Sequence, residues 1–393
     1  MKNNVKNSIK SAVKSSVKGT AAGNKYQGRL EKIWDWMAQE GIALVMLEDA
    51  EGQRDRTVRW LSGHPGDALL FLSVDRKSLL VPWDINLANI YGWADMMLPY
   101  SEFDRMSRKA ILGAAKIFKV PTGSKIEIPA STPYPHFLHY VGELTDFDII
   151  CRERSTVSHA QTLRAVKDAD EINNYRKAAG ITNRLIDLLE KKVRLGKIKT
   201  EADAVLLIDH EARKSGCEGT GFECLAAGPQ RSFGIHAFPS WTNAPFAGPG
   251  LSILDFGLRL NGYTTDVTLT FVREPSPRQE EMVNLVEQAY NLAVSMANNG
   301  TATRAIAAAV DNLFAKSKKY MPHALGHGIG LEEHEYPSIR SRSDNEWVLS
   351  EGMVFTFEPG LYDPLEGGCR LENDFLMTEN GPEILTNARI IRL

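Results

Sequence analysis

Four carboxylates and one imidazole in the second half of this chain are of the types that hold divalent metal ions: Asp255, Asp266, His327, Glu358 and Glu372. They sit in Leu254-Asp-Phe-Gly-Leu-Arg-Leu-Asn-Gly-Tyr-Thr-Thr-Asp266, Leu325-Gly-His-Gly-Ile-Gly330, Thr356-Phe-Glu-Pro-Gly360 and Arg370-Leu-Glu-Asn-Asp374. With the histidine neutral, the set carries about −4, which two divalent ions balance, with room for one bridging hydroxide. Oxygen-rich ligation with a single histidine argues against a structural zinc site. It suits Mn²⁺, Co²⁺, Fe²⁺ or catalytic Zn²⁺, among which the ligand types alone do not choose.

The first two acids can be placed by local rules. Apolar-rich runs at 252–260 and 263–272 flank Asn261-Gly262, a strong hairpin signal because a type I′ turn needs φ > 0 at both central positions. A two-residue turn there sets Thr268 opposite Asp255 and Asp266 opposite Gly257. Asp255 and Asp266 then share one face as diagonal neighbours, and a loop one residue longer would split them. Two buried acids repel each other unless a positive group neutralises them. No lysine or arginine nearby in sequence serves, since Arg259 joins their face only as the strand ends. Alone, the pair reads as a solvated hairpin. Glu358 and Glu372 shift that reading, because each falls in an apolar strand, Met353–Glu358 and Cys369–Met377, where a lone acid is equally costly.

Taken in this order, the segments resemble the pita-bread metallopeptidases, which include methionine aminopeptidase, aminopeptidase P, prolidase and the metal-free creatinase. The resemblance implies that Asp255 holds one metal, Asp266 and Glu372 bridge both, and His327 and Glu358 complete the second. It extends to His236 in Gly234-Ile-His-Ala-Phe-Pro239, His323 in Pro322-His-Ala-Leu-Gly-His327, His334 in Leu331-Glu-Glu-His-Glu-Tyr-Pro337, and Arg370. A lone histidine is more often a surface or satisfied core residue; four matching positions around a complete ligand set favour substrate handling. One departure is Leu269 in Asp266-Val-Thr-Leu-Thr270, where relatives often carry arginine.

The implied reaction is hydrolysis of the bond between an amino-terminal residue and proline in dipeptides or short peptides. Glu358 is the expected general base and His334 the donor to the developing oxyanion. His236, His323 and Arg370 are expected to position substrate. Dipeptidase and aminopeptidase activity both stay open. Two alternatives are a metal-dependent lyase or hydrolase acting on a small non-peptide substrate and a catalytically inactive binding module, although no ligand is missing.

The elements that must position these residues fall into two domains after a basic segment over 1–25. Residues 26–160 read as a small α/β domain: a helix at Leu30–Glu40, strands at Ile42–Leu47, Ala68–Ser73 and Ser78–Pro82, a helix at Arg105–Phe118, then Lys125–Ile128 and Phe147–Cys151. Arg59-Trp-Leu-Ser-Gly63 and Leu79-Leu-Val-Pro82 resemble the creatinase-like amino-terminal domain of proline-directed relatives. Residues 161–393 read as an α+β pita-bread catalytic domain with a pseudo-twofold repeat of helix pair then ligand-bearing strands. Helix starts are marked by Asp168 with Glu171, Thr200 with Asp203, and Ser276-Pro-Arg-Gln279. The Gly- and Pro-rich stretch 226–250 is expected as a loop at the site's rim.

The 393 residues allow two sizeable cores, and a net charge of −3 gives no electrostatic case for nucleic acid. Cys151, Cys217, Cys224 and Cys369 show neither metal spacing nor a disulfide framework, as in a reducing cytoplasm. No apolar stretch approaches the roughly 20 residues that span a bilayer. The first 25 residues repeat lysine at Lys2, Lys6, Lys10, Lys14 and Lys18. They read as a solvated tail, with an organellar targeting segment as the lesser alternative. The family resemblance also implies a homodimer.

Overall fold

The structure, a computed structural model, describes residues 21–393; the lysine repeat and its targeting alternative lie outside the described residues. The first helix runs Ala21–Glu40, further back than the expected start at Leu30. Its inward face is set by Leu30, Ile33, Trp34 and Met37, all buried, at the spacing of one helical face. Gly41 at φ 66° closes it in the left-handed conformation that glycine adopts without steric cost.

The chain divides at Leu163/Arg164 into two compact units. The first holds strands β1 (Ile42–Asp49), β2 (Ala68–Ser73), β3 (Lys77–Pro82), β4 (Met96–Met97), β5 (Lys125–Glu127) and β6 (Asp148–Ile150). They form one mixed sheet in the order β4-β3-β2-β1-β5-β6, packed on apolar side chains such as Leu44, Phe71, Val81 and Ile111. Helices at Thr57–Ser62, Ile85–Tyr91 and Tyr134–Glu143 were not legible in the sequence. All three are short; the second depends on an Asp84 cap accepting from the Asn86 and Leu87 N–H groups.

The second unit repeats one order twice. Helices Ala169–Arg194 and Glu201–Lys214 precede β7 (Gly219–Thr220), β8 (Leu225–Ala227), β9 (Gly250–Phe256), β10 (Leu258–Leu260), β11 (Tyr263–Thr264) and β12 (Val267–Arg273). Helices Pro277–Met296 and Thr303–Lys316 then precede β13 (Gly326–Gly328), β14 (Glu335–Ile339), β15 (Val354–Phe357), β16 (Gly360–Asp363), β17 (Gly367–Arg370), β18 (Asn373–Thr378), β19 (Gly381–Ile384) and β20 (Ile390–Arg392). Asp168/Glu171, Thr200/Asp203 and Ser276/Gln279 each form a reciprocal capping box, with Pro277 opening the third helix. The main sheets run β20-β12-β9-β8 and β14-β13-β15-β18-β19. Among the described residues, no helix is long and apolar enough to cross a membrane.

Candidate metal centre

The hairpin has the register expected from its turn. Asn261 and Gly262 have φ of 50° and 89°. Leu260 pairs with Tyr263 and Arg259 with Thr264 beside the turn, while Thr268 pairs with Asp255 further along. Between these stretches the ladder opens. Gly257 lies so close to the Thr265 carbonyl that an added Cβ would overlap it, and the Asp266 N–H donates to Asp374 Oδ1 at 3.0 Å. Asp266 is thereby held at the break, on the Asp255 face.

The second acid pair arises at the end of another ladder. β15 and β18 pair up to Phe357 opposite Asn373, so one further step sets Glu358 opposite Glu372. Both residues change partner there. The Glu358 N–H donates to the Leu325 carbonyl at 2.8 Å, and Glu372 exchanges backbone bonds with Thr268 at 3.2 and 3.4 Å. That bridge stitches the hairpin sheet to the second sheet. Thr268 therefore has Asp255 on one side and Glu372 on the other; its Oγ1 donates to Glu372 Oε2 at 2.8 Å and accepts from Arg370 Nε at 3.0 Å.

His327, on β13, completes the group. Its Nδ1 lies 3.1 Å from the Gly328 carbonyl, which fixes the proton there and leaves Nε2 with a lone pair. That Nε2 is 3.8 Å from Asp266 Oδ2 and 3.6 Å from Glu358 Oε1. Asp266, His327 and Glu372 each offer a donor atom within 4.8 Å of the others. All five expected ligands line a single cleft of about 280 Å³, together with His236, His334 and Arg370.

Two of the acids commit one oxygen to the protein and leave the other open. Asp255 Oδ2 accepts from Arg370 and Glu372 Oε2 from Thr268. Among the described residues, Asp255 Oδ1 and Glu372 Oε1 are buried and accept no hydrogen bond. Burial pushes the Asp266 and Glu358 carboxyls well above their ordinary range, reinforced by Glu372. It raises Glu372 to about 7, with Asp255 adding to the shift and Arg370 opposing it. Burial also holds the His327 imidazole down to about 3, helped by His334. Open buried oxygens, mutually repelling acids and an unprotonated imidazole nitrogen are the donor set a divalent cation requires.

Sequence reasoning found no cation for the aspartates; the fold supplies Arg370 from a distant strand, while Arg259 turns to the Gly221 carbonyl. Arg370 is buried, and beyond Asp255 and Thr268 it donates to the Ile235 carbonyl at 3.0 Å and to Tyr362 Oη at 2.8 Å. His323 was expected at the substrate. It places Nδ1 2.8 Å from the Ala324 carbonyl and 3.9 Å from Glu358 Oε2, and Nε2 2.9 Å from Tyr362 Oη. The exposed His236 and His334 face the cleft. Tyr362, Asp374 and Thr268 are supports of the site beyond those expected from the sequence. Only Thr268 carried a signal, being set opposite Asp255 by the hairpin register; the other two depend on contacts between remote strands.

Comparison with known proteins gives the same direction. A profile described as metallopeptidase family M24 matches residues 173–379. The chain is 34% identical over 236 residues to an uncharacterized peptidase of Staphylococcus haemolyticus, covering 57% of this chain and 63% of that protein, under two thirds of its length. It is 28% identical over 364 residues to a Xaa-Pro dipeptidase of Pyrococcus horikoshii, covering 91% of this chain and 96% of that one. Its fold is shared with the X-Pro aminopeptidase of Thermotoga maritima, with a TM-score of 0.78 and 24% identity over 93% of this chain and 99% of the other.

Proposed function

The chain belongs to metallopeptidase family M24, and on that premise we propose that it hydrolyses the bond between an amino-terminal residue and proline in short peptides. The observation that carries this reading is the convergence of the five donor residues on one cleft, with buried carboxylate oxygens left open in it. Asp255, Asp266, His327, Glu358 and Glu372 would hold two divalent ions, Mn²⁺ by preference. Bound there, the ions supply Lewis acidity toward the scissile carbonyl and toward water.

The chain's own groups do the rest. Glu358 stands at the cleft opposite Glu372. It takes the proton of the attacking water and passes it to the departing proline nitrogen. His334 reaches the cleft from the other strand pair, its ring 4.4 Å from that of His327, and donates a hydrogen bond to the carbonyl oxygen as charge develops there. His236, on the rim loop, orients the peptide. Arg370 orients Asp255, and His323 orients Arg370 through Tyr362 rather than by touching substrate. A homodimer in the cytoplasm belongs to the same proposal, with all four cysteines free.

The test is a length series in Mn²⁺: Ala-Pro, Ala-Pro-Ala and longer peptides. Release of alanine from any of them supports the reading, and cleavage of Ala-Pro alone marks a dipeptidase. No cleavage of any member by metal-loaded protein overturns it.

A further inference from the structure

The loop that presents His334 is folded around the side chain of the next residue. Glu335 points away from the cleft and is almost fully buried. One carboxylate oxygen, Oε1, accepts from Arg164 Nη2 and from the Glu332 N–H at 3.2 Å. The other, Oε2, lies 3.4 Å from Lys167 Nζ. Arg164 Nη2 also reaches Glu332 Oε2 at 2.8 Å, so Glu332 and Glu335 are tied to one guanidinium. The Gly330 N–H donates to the Glu332 carbonyl at 3.0 Å, and a Cβ on Gly330 would overlap the Glu335 carboxylate. The turn thus closes directly on that group.

Side-chain exposures of 2% for Arg164, 1% for Lys167 and 4% for Glu335 remove all three charges from water. Burial alone would push the Glu335 carboxyl up, yet Arg164 and Lys167 outweigh it and hold the group below its usual range. Two buried cations on one carboxylate are a costly arrangement for stability alone, where apolar side chains of similar shape serve as well. What they add here is geometry. Glu335 also pairs with Gly328, next to His327, so the clamp fixes the backbone between the two histidines.

We propose that Arg164 and Lys167 are positioning residues for His334: by clamping Glu335 from behind, they aim the imidazole into the cleft. This rests on the catalytic reading of His334 given above. No side chain of the network bonds to one of the five metal donors, and because Glu335 pairs with Gly328 beside His327, metal content read beside kcat separates an effect through His334 from one through the metal site. Displacement of a reacting group by about 1 Å costs on the order of 100-fold in rate.

The experiment is a double-mutant cycle on Ala-Pro-Ala with Mn²⁺-loaded protein. Glu335→Gln and, separately, Lys167→Met are each combined with His334→Ala, and metal content and Tm are measured alongside. Lys167→Met leaves Arg164 on Glu335 and provides the test should Glu335→Gln fail to fold. The expected result is a kcat at least about 10-fold lower for each single variant, KM within about 3-fold and unchanged metal content. In the His334→Ala background the further loss falls below about 2-fold. Equal losses in both backgrounds, or a loss that tracks metal content, would overturn the inference while leaving the function standing. A wild-type protein without turnover would overturn both.

Discussion

Arg370 Nη2 and Asp255 Oδ2 lie 2.6 Å apart, pairing a buried cation with an acid more than a hundred residues away in sequence. The pairing uses one Asp255 oxygen and leaves the other, Oδ1, open in the cleft. Arg370→Met should therefore loosen the metal site without removing a ligand, by the 10- to 100-fold typical of supporting groups around metal ligands. Titration calorimetry with Mn²⁺ checks this; an unchanged affinity would detach Arg370 from the site.

Metal should stabilise the fold. After burial, Glu372 raises the Asp266 and Glu358 carboxyls and Asp255 raises that of Glu372, and a cation that binds only the folded state removes that repulsion. At a free concentration 100 times its Kd, the gain is about 2.7 kcal/mol per independent site. Calorimetric scans of chelated and Mn²⁺-supplemented protein should show a concentration-dependent rise in Tm, and restored metal should restore activity.

Tyr362 links two residues that sequence reasoning assigned to substrate. Its Oη lies 2.9 Å from His323 Nε2 and 2.8 Å from Arg370 Nη1, and burial raises its ionisation well above the ordinary value. Tyr362→Phe deletes both bonds and leaves the ring packing intact. A net loss of about 1 kcal/mol in stability is expected, with kcat/KM falling about 10-fold and metal stoichiometry unchanged. Steady-state kinetics at fixed metal loading measures it.

Acid sensitivity should arise in the first unit as well as at the metal site. His64 is 1% exposed, and burial lowers its imidazole below the ordinary value near 6.5. The unfolded chain therefore binds a proton at a pH where the folded one does not. The stabilising contribution is complete above the unfolded value and declines as pH falls below it. His64→Asn should flatten the fall in Tm between about pH 7 and 5 relative to wild type, in metal-free protein.

Much of this was legible because it rests on short-range rules. Asn261-Gly262 fixed a turn, the turn fixed a register, and the register placed Asp255 and Asp266 on one face. Capping boxes at Asp168, Thr200 and Ser276 marked three of the four long helices of the second unit. What the sequence did not disclose depends on strands that meet only in the folded chain. The Thr268–Glu372 bridge joins two sheets, and Asp374 receives the Asp266 N–H where the hairpin ladder opens. Arg370 reaches Asp255 because its own strand, β17, packs against β9 and β12, a contact between segments remote in sequence. The short helix at Ile85–Tyr91 escaped for another reason: it has an Asp84 cap and a single buried residue, Ala88, in place of a periodic apolar face.

The most direct measurement is bound-metal stoichiometry with Ala-Pro-Ala turnover, for wild type and Glu358→Gln side by side in Mn²⁺. Two ions per wild-type chain and cleavage before proline are expected. The variant should be folded and slower by at least about 100-fold, within the range ascribed to a positioned proton-transfer group. A fully loaded wild type that leaves every proline peptide intact, or a Glu358→Gln protein as fast as wild type, would contradict the proposed function.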